Sequence, residues 1–196
     1  MKKILFGLTG ALLTVLTIGV VFVLSSCSGG NTAALKAHID SLETQLKQFT
    51  DEKAIVEQNL MRFDSLDFDV YSHAKWDLLN VSHDENIVVN YPDGHQTTDI
   101  KTHIDELKPM FVFAPDTRII EHPVRFGSDD YTCVTGYILG TFTKPMPIGN
   151  GKTIRPTGKS FRLPMCTVGH WKNGRMVEES LYWDNQAFMK QIGLAK

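Results

Sequence analysis

The chain has 196 residues, with 20 Lys+Arg against 22 Asp+Glu, a formal net charge of −2, and 42% hydrophobic residues. That balance lacks the clustered basic surface that nucleic-acid binding requires, so no nucleic-acid partner is expected. The length suits one domain with a sizeable core and an extension.

The extension begins with a leader. Lys2 and Lys3 precede an uncharged apolar run from Ile4 to Leu24, and Leu24-Ser25-Ser26-Cys27 follows. A basic start, an apolar stretch and small residues before a cut site form a secretory signal. The Leu-Ser-Ser-Cys block resembles the bacterial lipobox, which implies lipidation of Cys27 and removal of residues 1–26. The expected address is the cell envelope, as a membrane-anchored lipoprotein facing the periplasm or the exterior. An uncleaved membrane anchor is the rival reading, because the run is long enough to span.

A Ser-Gly-Gly-Asn linker leads into a helical pattern near Thr32. Leu35, Ile39, Leu42, Leu46, Phe49, Val56, Leu60 and Phe63 alternate at spacings of four and three, with Lys53 in the one polar slot. Two readings stay open: an amphipathic helix packed on the domain, and a short coiled-coil stalk that lifts the domain or pairs two copies as a homodimer. The division adopted is a signal peptide over 1–26, a linker and stalk over 27–50, and a domain over 51–196.

Within the domain, Phe68 to Val81 reads as a second helix. Asn86 to Tyr91 reads as a strand, ended by the Pro92-Asp93-Gly94 turn. Thr98 is placed to cap a helix carrying Ile100, Ile104, Leu107 and Phe111. Strands are expected over 117–126, 130–143, 159–172 and 175–183, with a long hairpin loop over 144–158 and a short helix from Asn185 to Ile192. Asn173-Gly174 is a hairpin signal. Helices followed by an antiparallel sheet make an α+β domain.

Several chemical motifs fail. Gly151-Lys152-Thr153 ends like a phosphate-binding loop, but Met146 occupies the first glycine position and no helix follows. The seven histidines show neither helical metal-site spacing nor cysteine pairing, so no metal and no cofactor are expected. There is no G-x-S-x-G elbow. Cys133 and Cys166 are read as a disulfide or, preferably, as two small buried thiols.

The informative constellation lies at the C-terminal end. Phe161 to Trp171 and Met176 to Trp183 form two strands about the Asn-Gly turn. Side-chain alternation puts Cys166, Val168 and His170 on one face, and Glu178, Ser180, Tyr182 and Asp184 on one face. Pairing through the turn is expected to bring His170 and Asp184 to one cavity wall.

The run from Glu178 to Leu194, with Pro-Thr-Gly-Lys at 156–159 and Gly-Thr-Phe at 140–142, resembles the SnoaL-like polyketide cyclase family of the nuclear transport factor 2-like superfamily. The resemblance covers roughly residues 52–195. It implies a cone-shaped α+β fold, in which a strongly curved antiparallel sheet wraps around helices to enclose one deep pocket. It also implies Asp184 as the acid/base of an aldol ring closure, with His170 as its neighbour. Trp76, Tyr91, Phe111, Phe113, Tyr182 and Trp183 are expected to line the pocket. The function expected is binding of a small, apolar, carbonyl-containing ligand with proton-transfer chemistry of cyclase or isomerase type. A non-catalytic capture module and a dimeric scaffold are the alternatives.

Overall fold

A computed structural model describes the backbone from Leu8 and the side chains from residue 31 to the C-terminus. The leader and the expected lipidation site at Cys27 fall outside the described side chains. Among the described residues, no helix is long and apolar enough to cross a membrane. The chain divides into two compact units, one ending at Asp51 and the other running from Glu52 to Lys196.

The first helix, α1, spans Leu8–Ser65. In the first unit its apolar residues Leu35, Ile39, Leu42, Leu46 and Phe49 are all exposed. In the second unit the same stripe turns into core: Leu60 and Phe63 are buried and Val56 packs against them. One hydrophobic period therefore serves two environments, which periodicity alone does not distinguish.

The second helix expected over 68–81 is instead two short pieces. A π-helical segment, Leu66–Tyr71, widens the end of α1, and a 3₁₀ helix covers Trp76–Val81. The break falls at Ala74, whose φ of +50° lies in the left-handed region. Strand β1 (His83–Asn90) begins three residues before the expected start, and β2 (Gln96–Thr97) pairs back onto it. Helix α2 covers Ile100–Phe113. Its cap is Asp99, not Thr98: the extended Asp99 accepts from the Thr102 amide at 2.8 Å and the Thr102 hydroxyl at 2.7 Å.

The expected strand over 117–126 is displaced. Only a single bridge joins Arg118 to Leu139, and the ladder proper is β3 (Val124–Ser128), paired with β4 (Tyr131–Thr141). The loop after β4 contains a small hairpin of β5 (Met146–Pro147) and β6 (Thr153–Ile154). Strands β7 (Ser160–Lys172) and β8 (Arg175–Trp183) flank the Asn173-Gly174 turn, where φ is +50° and +75°. Helix α3 (Asn185–Gln191) closes the chain. The main sheet runs β2-β1-β8-β7-β4-β3, antiparallel throughout except where β1 lies parallel to β8.

A bulge in β8 decides which side chains look inward. Trp171 pairs with Met176, but His170 pairs with Glu178, so Val177 is the extra residue. Inward positions on β8 thereby switch from Met176 to Glu179, Leu181 and Trp183. On β7 the buried face carries Phe161, Leu163, Met165, Thr167, Gly169 and Trp171. Gly169 is required there, since a Cβ would meet the Met176 sulfur at 2.6 Å and the Trp171 indole nitrogen at 3.0 Å.

Candidate functional site

One face of the sheet, the π-helical segment that follows α1, and α2 line a cavity of about 250 Å³. Most of its wall is apolar, from Leu66, Leu79, Leu107, Met110, Ile119, Ile138, Met165 and Leu181. Asp93, His95 and Glu106 are exposed lining residues and mark its mouth. A pocket with apolar walls and a few convergent polar groups is the usual form of a small-molecule site.

Two polar clusters face this space. In the first, the widened turn of the π-helix carries Asp67 into the wall. His122, in the segment before β3, reaches both carboxylates of this helix end: Nδ1 lies 2.7 Å from Asp64 Oδ1 and Nε2 lies 2.8 Å from Asp67 Oδ2. The imidazole side chain is only 1% exposed. Burial works to lower its pKa, but hydrogen bonds and charge from Asp67, then Asp64, outweigh that and raise it. Asp67 is raised above the ordinary aspartate value because burial disfavours its charge more than His122 favours it. Tyr71 lines the cavity too. Its phenol is held well above its usual pKa, by burial first and then by the Asp67 charge.

The second cluster joins three elements. Glu179 of β8 sits between His83 of β1 and His103 of α2, its Oε2 lying 3.7 Å and 3.6 Å from their Nε2 atoms. All three side chains are buried, and the two rings stack at 5.5 Å. His83 Nδ1 is 2.8 Å from Ser82 Oγ, and His103 Nδ1 is 2.8 Å from the Tyr91 hydroxyl. Burial, followed by the charge of His83, pulls the His103 pKa down to about 4 even though Glu179 acts to raise it. For Glu179, burial acts to raise the pKa, but interaction with His83 and then His103 brings it below the ordinary value.

Of the residues expected at the site, Tyr91 and Trp183 line the cavity. Trp76 and Phe111 stand behind it, packed edge-to-face on Tyr71 at 6.3 and 5.1 Å. Phe113 is in the core against Phe142. Tyr182 is 55% exposed on the outer face.

His170 and Asp184 are not among the lining residues, and the hairpin separates them. His170 pairs with Glu178 on the outer face and stacks on Tyr131 at 4.5 Å. Asp184 lies six residues beyond Glu178, roughly 20 Å along the strand. It is exposed and caps α3, accepting from the Ala187 amide at 2.9 Å. A tight turn brings together residues equidistant from it, so His170 meets Glu178 and not a residue at the far end of β8.

The sequence pattern does not single out Glu179, His83, His103, Asp67 or His122. One signal is present: His103 shares the helical face of Ile100, Ile104 and Leu107, a buried position for an imidazole. His83 and Glu179 carry no comparable mark, since the Val177 bulge reverses the alternation that assigns Glu179 a face.

Residues 63–192 match the family model of the SnoaL-like polyketide cyclases. A search of the curated proteins finds no match to the chain. Among solved structures, a protein assigned to the SnoaL-like polyketide cyclases from Jannaschia sp. CCS1 superimposes with a TM-score of 0.62 at 19% identity, over 72% of this chain and 96% of that one. IdmH, a polyketide cyclase candidate from Streptomyces antibioticus, gives 0.58 at 19% identity, over 69% and 99%. A protein of ketosteroid isomerase-like fold from Catenulispora acidiphila gives 0.52 at 11% identity, over 64% and 87%. At these identities the structural likeness speaks for the fold alone.

Proposed function

This chain belongs to the SnoaL-like polyketide cyclase family, and we propose that its cavity binds a small, largely apolar carbonyl compound and moves a proton on the carbon beside that carbonyl. The observation that carries the reading is Asp67, a buried carboxyl of raised pKa in an otherwise mostly apolar wall. A carboxylate that is poorly solvated is a stronger base than one in water, which suits proton abstraction near neutral pH. The hydrogen bond from His122 orients it, and the Tyr71 phenol supplies a donor for the enolate oxygen. In this reading the base is Asp67, while Asp184 is an N-cap.

The test is deuterium exchange at the α-carbon, followed by NMR, across a panel of cyclic ketones and β-keto esters. Wild type is expected to exchange the protons of at least one compound. Asp67→Asn is expected to lose exchange by a factor of at least 100 while binding the same compound within threefold. Tight binding without exchange by wild type would point instead to a capture module, and no binding at all would reject both.

The proposal extends to placement at a membrane through a lipid on Cys27. It rests on Lys2, Lys3, the uncharged run from Ile4 to Leu24, and Cys27 directly after Leu24-Ser25-Ser26. Metabolic labelling with an alkyne fatty acid should mark wild type and not Cys27→Ser. Equal labelling of both would overturn the assignment.

A further inference from the structure

We propose that His83, His103 and Glu179 form a site for one divalent transition-metal ion of the zinc class, open on its remaining side to the cavity. Both Nε2 atoms address the same carboxylate oxygen, at 3.7 and 3.6 Å, and the ligand atoms of all three residues lie within 4.8 Å of one another. These separations are too long for hydrogen bonds. They suit atoms that share an ion: bonds of about 2.1 Å in tetrahedral geometry put ligand atoms ~3.4 Å apart, a few tenths of an ångström short of the two histidine–carboxylate separations.

Three further observations point the same way. His83 Nε2 has no hydrogen-bond partner, although its side chain is only 1% exposed. Leaving such an atom unpaired is costly, and a metal bond would remove that cost. The other ring nitrogens are both engaged, by Ser82 Oγ and the Tyr91 hydroxyl. Outer partners of this kind fix the ring orientation and present Nε2 inward, as in metal-bound histidines. The three ligands come from β1, α2 and β8, so packed elements and not loops set their positions.

Two imidazoles and one carboxylate form a borderline ligand set that favours zinc, iron(II) or cobalt(II) over magnesium or calcium. Because all three residues line the cavity, the open position faces the space where a ligand would sit. An oxygen of that ligand, or water, would complete the coordination. The inference does not depend on the role assigned to Asp67.

The test uses the full chain in detergent, stripped with a chelator and titrated with Zn²⁺ and Co²⁺ by calorimetry and absorption spectroscopy. One equivalent is expected to bind in the micromolar range or tighter, with Co²⁺ giving the visible bands of a low-coordinate site. His103→Gln and Glu179→Gln are each expected to weaken binding at least 100-fold and remove those bands. Should either variant fold poorly by circular dichroism, Tyr91→Phe serves in its place, with a loss of about tenfold. The titration reads metal binding and not proton exchange, so its failure and the failure of the proton-transfer test are separate outcomes. Millimolar binding by wild type, or binding unchanged by all three cluster substitutions, would overturn the proposal.

Discussion

Nε2 of His122 lies 2.8 Å from Oδ2 of Asp67, while the opposite ring nitrogen engages Asp64. Only an imidazolium donates to two carboxylates at once. The folded state therefore keeps a proton on His122 above pH 6.5, where the unfolded chain releases it. Stability from this contact is fully present below about pH 6.5 and is lost as pH rises through the raised folded pKa. Denaturant midpoints measured from pH 6 upward should fall for wild type through that window. That fall should be absent in His122→Asn, which keeps only the small rise that the lowered His103 pKa gives up to about pH 7. Parallel slopes in the two proteins would remove the charge from this account.

The same stripe of α1 makes opposite predictions at its two ends. Phe63 is fully buried in the core beside Trp171, their ring centroids 6.1 Å apart, and truncation to alanine should cost about 3–5 kcal/mol. Phe49 is 63% exposed, and Phe49→Ala should change stability by no more than about 0.5 kcal/mol. Urea denaturation of both variants checks the pair. A large loss at Phe49 would show that a partner covers this stripe, as the proposed coiled-coil stalk requires.

These two residues also mark how far the sequence can be read. The α+β class, the long β7–β8 hairpin and the final helix follow from apolar period, the Asn173-Gly174 turn and the family resemblance. Each depends on local pattern over many residues. The site is less legible because single residues decide it. The positive φ at Ala74 breaks a helix that propensity would continue, and the Val177 bulge moves Glu179 to the inner face in place of Glu178. Strict alternation across residues 175–184 thus selects the outer face, the one carrying His170 and Tyr182. The cluster of His83, His103 and Glu179 joins positions far apart in the chain, which only the packing of α2 and β8 around β1 brings together.

Asp184 can be tested as a cap directly. Its carboxylate accepts the Ala187 amide at 2.9 Å, and the residue is exposed. Asp184→Ala should cost about 1 kcal/mol of stability, because one end-of-helix donor loses its partner. Asparagine caps nearly as well, so Asp184→Asn should stay within a few tenths of wild type. Both variants should keep the proton exchange expected of wild type. Loss of exchange in a folded Asp184→Asn would return the catalytic role to this residue.

The thiols of Cys133 and Cys166 face each other across β4 and β7 with their sulfurs 3.6 Å apart, and both are free. Burial, then the neighbouring Cys166, pushes the Cys133 thiol from its ordinary 9.0 up to about 11. Alkylation proceeds through the thiolate, so a thiol this weakly acidic offers ~100-fold less of the reactive species at pH 8 than an ordinary one. Iodoacetamide labelling, followed peptide by peptide with mass spectrometry, should therefore be slow at Cys133 in the folded protein. Its rate should rise about tenfold per pH unit until near pH 11. Cys166→Ala removes the second cause and should bring the rise to lower pH. A rate that levels off below pH 9 in the wild-type protein would mean that the Cys133 thiol is more solvated than its half-buried place on β4 implies.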